Sequence, residues 1–338
     1  MYVYIVFAML AFSLLIIVHE LGHFVMAKVN GIKVEEFAIG MGPKIFSVQG
    51  KETKYSIGIL PIGGYVKMLG EEEEVEDNKS FSSKSPLRRI SVILAGSIMN
   101  FLLALVLFTV ILSKNGYYLP EVGGVQENTP AYEAGLQNGD KFLNINGDKV
   151  FSKDDVAMGI VMSKGNPVDI RFERSGEINE VTITPKIDDE SKYLIGVSFV
   201  RVENPTFYQG FKQSFKQTET LIVQTFKGLK MLVTGKANLK TDVGGPVTII
   251  RLSGEAAKGG ILNLMYFTAF ISVNLAVFNL LPFPALDGGW TVILLIELIT
   301  RRKVPDKIVA TVNYIGMILL FGFMILVTVK DVLFPIKF

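Results

Sequence analysis

Cysteine is absent from the chain, which excludes disulfides and thiolate metal ligands and leaves the redox compartment undetermined. Neither sign of charge dominates: 34 Lys and Arg stand against 32 Asp and Glu, a formal net charge of +2, too little to suggest nucleic-acid binding. Histidine occurs only twice, at His19 and His23. What is plentiful is hydrocarbon. Hydrophobic residues fill 49% of the 338 positions and the mean hydropathy is +0.40, more than an ordinary soluble globule needs. The length allows two or three domains, and apolar runs, not the average, decide their class.

Both histidines lie in one such run, Ile17-Val18-His19-Glu20-Leu21-Gly22-His23-Phe24. In a helix, positions four apart share a face, so the two imidazoles reach one metal with Glu20 beside them, the layout of a zinc hydrolase. Ionisable groups amid hydrocarbon are costly unless paired, metal-bound or facing water, so such a cluster points to function. A closed structural site takes four protein ligands, whereas two histidines and a carboxylate leave a position for water. A structural metal stays open at this point. The surrounding stretch, Tyr2 to Val29, lacks a basic leader region and exceeds the apolar core of a secretory signal, so it reads as a retained membrane helix.

In chain order, residues 1–30 form the first span, with Lys28 and Lys33 marking its exit. If that end is cytoplasmic, the histidines lie roughly 8 to 14 Å inside it, at about 1.5 Å per residue. Residues 31–87 alternate in short pieces, Val34 to Ile39, Lys44 to Val48, Tyr55 to Ile59 and Tyr65 to Met68, with glycine-marked turns between them. They predict a small sheet, whose edge either accepts an extended peptide or simply closes a structured loop. The acidic run Glu71 to Glu74, with Glu76 and Asp77, reads as a solvated loop. Residues 88–114 hold the second span, after Arg88-Arg89; its Ala95-Gly96-Ser97 suits close helix packing, and Asn100 either bonds across helices or lines the site.

Residues 115–190 are of different material, strands and turns around Gly135-Leu136-Gln137-Asn138-Gly139-Asp140, and predict one inserted soluble domain. Residues 191–259 read as an amphipathic helix and linker. The spacing Phe207, Phe211, Phe215, Thr218, Ile222, Phe226, Leu229 suits a helix lying at a membrane interface or packed on the soluble domain, and Gly244-Gly245-Pro246 reads as a turn. Residues 260–300 hold the third span and a break, Asn279-Leu280-Leu281-Pro282-Phe283-Pro284-Ala285-Leu286-Asp287-Gly288-Gly289-Trp290. Broken backbone at membrane depth must face protein or a cavity, which makes Asp287 an unusual carboxylate. Residues 301–338 hold the fourth span. Placing Lys28, Arg88-Arg89 and Arg301-Arg302-Lys303 inside puts both termini and the soluble domain outside, and brings the His-Glu-His run and Asp287 to the cytoplasmic half.

The fold class predicted is thus a polytopic α-helical membrane protein with four transmembrane helices, a membrane-associated β-sheet or hairpin and one inserted domain. In His19-Glu20-Leu21-Gly22-His23, Gly63-Gly64-Tyr65-Val66, Ala95-Gly96-Ser97-Ile98-Met99-Asn100-Phe101 and Asn279 to Gly289, the chain resembles the bacterial site-2 proteases. These are the RIP or regulator of sigma-E intramembrane zinc metalloproteases of the M50 class, and the inserted domain resembles a PDZ domain. The resemblance implies one catalytic Zn2+ on His19, His23 and Asp287, with Glu20 as general base. It implies a β region that holds substrate extended, for which Gly63, Gly64, Tyr65, Val66 and Asn100 are the substrate-binding candidates. Asn279 is a candidate for oxyanion stabilisation or a turn contact at the helix break. Ser97 departs from the family's usual Ala-Gly-Pro, which bears on the local start of the second helix.

The implied substrates are transmembrane segments of other proteins in the inner, cytoplasmic membrane, such as a pre-cleaved anti-sigma factor or a remnant signal peptide. Lipid bilayer, not nucleic acid, is the implied surroundings. The PDZ-like domain either excludes bulky ectodomains or binds a new C-terminus. Two other classes use similar parts: a metal transporter, since broken helices with a buried carboxylate also make ion sites, and a non-catalytic membrane scaffold. Dependence of peptide cleavage on Glu20 separates the protease from both.

Overall fold

The computed structural model describes residues 2–71, 75–188, 192–238, 240 and 242–335, with the side chains of all of these except 2–5, 61 and 62. Of the acidic run, Glu72, Glu73 and Glu74 lie outside the described residues. The chain forms two compact units, residues 1–107 with 228–338, and residues 108–227.

The first unit opens with helix α1 (Tyr2–Val29), followed by strands β1 (Val34–Gln49) and β2 (Lys54–Met68) and helix α2 (Pro86–Asn115). Among the described residues four helical stretches are long and apolar enough to cross a membrane: Val6–Val29, Pro86–Asn115, Ile261–Asn279 and Asp306–Leu333. They match the four predicted spans.

Between α1 and α2 the four predicted strands exist, but as halves of two long ones. Residues 36–39 pair on one side with 67–64, in falling order, and on the other with 54–57, in rising order; residues 44–49 pair with 58–54. Each of β1 and β2 is therefore bent back within the sheet, and glycine permits the bend. Gly40 (φ +80°) and Gly42 (φ +85°) turn β1, Gly63 (φ +86°) turns β2, and a Cβ on Gly40 would sit 2.5 Å from the Leu60 carbonyl oxygen. One side chain fastens all four segments. The Glu36 carboxylate accepts hydrogen bonds from Lys44 Nζ, from Ser56 Oγ at 2.5 Å and from Tyr65 OH at 2.8 Å. Phe37 and Tyr55, next along their strands and so on the opposite face, pack around Phe24 of α1. A core of Ala27, Val34, Val66, Phe81, Val92 and Leu294 joins ribbon to helices.

The second unit holds strands β3 (Tyr117–Val125), β4 (Lys141–Ile145), β5 (Asp148–Lys149), β6 (Val168–Arg174), β7 (Glu177–Ile183), β8 (Lys186–Ile187), β9 (Tyr193–Leu194) and β10 (Val197–Val202), with helices α3 (Pro130–Glu133) and α4 (Lys153–Met162). Its main sheet runs β10-β3-β4-β6-β7, with β5 on β4, over a core that includes Val122, Phe142, Val156, Ile170 and Ile195. The Gly135 to Asp140 piece is anchored from within: buried Asp140 takes both Arg174 Nε and Nη2 at 2.7 Å. The domain runs past the predicted boundary at residue 190, because β10 completes the sheet along β3.

Helix α5 (Phe207–Val233) packs on the domain through its polar face and leaves the aromatic stripe free. Its buried residues are Gly210, Gln213, Ser214, Gln217, Thr218, Thr220 and Leu221, while Phe207, Phe211, Phe215 and Phe226 are exposed. Gln217 Nε2 donates to Asp154 Oδ2 and Thr220 Oγ1 to Asp155 Oδ2, each at 2.8 Å. The polar face packs on the domain and the aromatic stripe points outward.

The first unit then resumes with α6 (Pro246–Lys258), α7 (Ile261–Asn279), α8 (Asp287–Thr300) and α9 (Asp306–Leu333). The predicted linker contains α6, whose first turn is capped from a distance: Gly245 and Thr248 N–H both donate to Asp331 Oδ2 of α9 at 2.9 Å.

Candidate active site

Helix α1 presents His19 and His23 one turn apart, and both rings are fixed from behind. His23 Nδ1 lies 2.9 Å from the Val92 carbonyl oxygen. A carbonyl only accepts, so this nitrogen is the donor and the ring turns its Nε2 toward the site. His19 Nδ1 lies 3.2 Å from the Asn100 amide. The two Nε2 atoms face each other at 3.1 Å.

The third group arrives from the far end of the sequence. Asp287 opens α8, where the helix N-terminus favours a carboxylate. Its Oδ2 lies 3.5 Å from His19 Nε2 and 3.8 Å from His23 Nε2. That oxygen is buried with no hydrogen-bond partner among the described residues. Atoms bound to one tetrahedral zinc at 2.0 to 2.2 Å lie about 3.3 to 3.6 Å apart; the three separations here, 3.1, 3.5 and 3.8 Å, scatter closely about that range, and small side-chain shifts bring all three atoms onto one ion. Among the described residues they form the one group of three or more His, Asp or Glu side chains spaced to hold a metal.

Glycines make the room. A Cβ on Gly96 of α2 would sit 2.4 Å from His23 Nε2 and 2.7 Å from His19 Cε1. On Gly22 of α1 it would sit 2.4 Å from the Ala95 carbonyl oxygen. Gly288 packs against the Leu280 and Leu281 carbonyls and Gly289 against that of Phe283, which folds the break tightly under Asp287. Helix α9 supports that break: Ala285, at φ +71°, donates its N–H to Asn313 Oδ1 at 3.1 Å, and Gly316 lets Pro284 approach.

A model of the peptidase family M50 matches residues 7–323. The chain belongs to peptidase family M50. Proteins named "Putative zinc metalloprotease" match it end to end: one from Clostridium perfringens is 53% identical over 98% of this chain and 99% of its own length. One from Clostridium acetobutylicum is 48% identical over 99% and 98%. The PDZ domain of an SdrC-like protein from Listeria innocua aligns over 27% of this chain and all of that one, at 28% identity and a TM-score of 0.23. As an M50 peptidase the protein is a membrane-embedded zinc metalloprotease, and intramembrane proteolysis is the general activity of its family.

The predicted site residues can now be located. His19, His23 and Asp287 converge as expected. Asn279 Nδ2, at the end of α7, lies 3.5 Å from His19 Nε2, so it faces the metal position and not only the helix break. Gly64 of β2 is flanked by Glu20 and Ile16 of α1, which sets the Gly63 to Val66 segment beside the site. Val66 itself is buried in the core. Asn100 is placed differently from the prediction. It is fully buried behind His19 and reaches no open surface, so the substrate-contact role gives way to contact with a ligand. Ser97 lies well inside α2, which starts at Pro86, and its buried hydroxyl adjoins the Asp287 carboxylate. Gly96 carried a signal in the small-residue run, but that run reads equally as helix packing. Asn313 and Gly316 carried none.

Proposed function

We propose that this M50 peptidase hydrolyses peptide bonds within transmembrane segments of single-pass proteins of the cytoplasmic membrane, including the membrane remnants left by an earlier cleavage such as a trimmed anti-sigma factor or a signal peptide. The observation that carries this reading is the unpartnered Asp287 oxygen facing two imidazole nitrogens among helices built for lipid. Bound there, zinc supplies Lewis acidity, acidifying a water and polarising the scissile carbonyl.

The chain supplies the remainder. Glu20, next to the ligands and not one of them, takes the proton from the attacking water and returns it to the leaving amine. The Asn279 amide donates to the oxygen that gains charge. A substrate helix must unwind before its backbone is open to attack, and the segment beside Glu20 offers an edge along which an extended peptide adds as a strand. The basic flanks support both termini and the PDZ-like domain outside, with the site in the cytoplasmic half. The outward phenylalanines of α5 support a place for it at the membrane interface.

The test is reconstitution with a transmembrane peptide, comparing wild type, Glu20→Gln and Asp287→Asn while measuring bound zinc. Glu20→Gln is expected to retain zinc and lose turnover by about 100-fold or more, the range of a general base. Asp287→Asn is expected to lose both. Chelation should abolish cleavage and zinc should restore it. Cleavage undiminished in both variants overturns the assignment.

A further inference from the structure

We propose that Asn313 of α9 is a positioning residue for the metal centre: its side-chain oxygen holds the turn at Ala285 in a conformation that alanine resists, and that turn places Asp287. The proposal rests on the reading that His19, His23 and Asp287 hold the metal.

The break between α7 and α8 ends in a tight turn. Leu286 N–H donates to the Phe283 carbonyl oxygen at 3.2 Å, which closes the run Phe283-Pro284-Ala285-Leu286. Proline stands second and the third residue has φ +71°, the pattern of a type II turn. Its third position ordinarily takes glycine or asparagine, because a Cβ crowds the left-handed backbone. Ala285 brings that Cβ without a polar side chain to offset it.

The turn leads straight into the ligand. Leu286 is held on both sides: its N–H returns to Phe283, and its carbonyl accepts from Gly289 and Trp290 N–H at 3.0 and 3.2 Å. Asp287 follows it as the first residue of α8. A change of backbone at Ala285 is therefore passed to Asp287 through a single residue that has no slack to absorb it.

Alanine would be at ease if the Pro284-Ala285 peptide flipped, since that flip converts a type II turn to type I and makes the third φ negative. Helix α9 opposes the flip. The N–H of the third residue takes no part in the turn's own hydrogen bond, and here it donates to Asn313 Oδ1 at 3.1 Å. Three residues along the same helix, a Cβ on Gly316 would sit 2.5 Å from Pro284 Cβ and 2.6 Å from the Pro284 carbonyl oxygen, so α9 lies directly against the peptide that would have to turn. Gly316 supplies the close approach, and Asn313 supplies the bond that selects one face of that peptide.

The experiment uses the full-length protein in detergent, with zinc affinity measured by competition with a chelator. Asn313→Leu is expected to bind zinc about 10- to 100-fold more weakly, the usual effect of removing a support behind a ligand. Asn313→Asp keeps an accepting oxygen, ionised or not, and is expected to bind as wild type. Ala285→Gly alone should also bind as wild type, because glycine fits the turn unaided. Combined with Asn313→Leu it should restore most of the lost affinity. A substitution that merely loosened α9 would weaken zinc equally in the alanine and glycine backgrounds.

Equal affinity in wild type and Asn313→Leu overturns the proposal. So does a double variant no tighter than Asn313→Leu, weak binding by Ala285→Gly alone, or Asn313→Asp falling as far as Asn313→Leu. Ala285→Val approaches the same link without touching α9, since a β-branched residue resists positive φ more than alanine; it should weaken zinc as Asn313→Leu does, and unchanged affinity there also overturns the proposal. Wild type that binds no zinc at all defeats the underlying reading, which separates that failure from failure of the Asn313 assignment.

Discussion

Adding one carbon to Gly96 would place it 2.4 Å from His23 Nε2, where a ligand atom and its metal have to be. Alanine is the better helix former by about 1 kcal/mol, so helix propensity alone predicts that Gly96→Ala stabilises α2. The site predicts the reverse for function. The imidazoles must move off their shared focus, and zinc affinity should fall on the order of 10- to 100-fold, as when the support behind a ligand is disturbed, with little change in helix content by circular dichroism. Chelator competition on the variant checks it; affinity equal to wild type refutes it. Residues of this kind mark the limit of what the sequence shows. His19, Glu20, His23 and Asp287 are legible because charge in hydrocarbon demands a reason. Gly96 and Asn100 are not, because small residues and a lone amide in a membrane helix serve packing equally well. Only the pairing of α2 with α1 tells which.

The folded ribbon of β1 and β2 depends on one carboxylate. Burial pushes the Glu36 pKa up, but hydrogen bonds from Lys44, Ser56 and Tyr65 and the Lys44 charge outweigh it and bring it from 4.5 down to about 2. A depressed carboxylate contributes stability that is full above the unfolded value and is lost as pH falls through the folded one. The ribbon should therefore loosen between about pH 4.5 and 2, read as faster amide exchange of residues 36–39 and 54–57, and Glu36→Gln should be loose throughout. Alternation and glycines predict four strand segments; that they are halves of two strands is invisible, because the bends are set by cross-strand pairing. Helix α5 shows a second limit. Periodicity reports an apolar stripe but not what it faces, and in a membrane protein lipid competes with the core for it. Thr220→Val removes a hydroxyl from buried Asp155 and should cost about 1 to 3 kcal/mol in thermal unfolding of the 108–227 unit. Phe215→Ser, on the exposed stripe, should leave that unfolding within about 0.5 kcal/mol.

Across the membrane unit, residues far apart in sequence are tied at the ends of helices as well as at the metal. Arg89 near the start of α2 and Glu297 near the end of α8 form a buried ion pair at 2.8 Å, 208 positions apart. The Glu297 carboxylate also accepts from Val304 N–H at 3.1 Å, and the Arg89 guanidinium lies 5.0 Å from the centre of the Phe81 ring. One pair thus gathers α2, α8 and the loops flanking them. In the sequence Arg88-Arg89 reads only as a topology signal, and nothing pairs it with a glutamate beyond the break. Asp287 stands ten residues before Glu297 on the same helix, about 15 Å along its axis, while α2 carries Gly96 and Asn100. The ion pair therefore anchors at one end the two helices whose other parts meet at the metal. Glu297→Ala strands a buried guanidinium and should cost about 3 to 5 kcal/mol, whereas Arg89→Met with Glu297→Leu should fall close to wild type, since apolar replacements of buried pairs are often neutral. If the anchor also registers Asp287, Glu297→Ala should weaken zinc binding and the double variant should restore it. A double variant that recovers stability and still binds zinc weakly would show that the charge itself, and not the joining of the helices, is what the metal site requires.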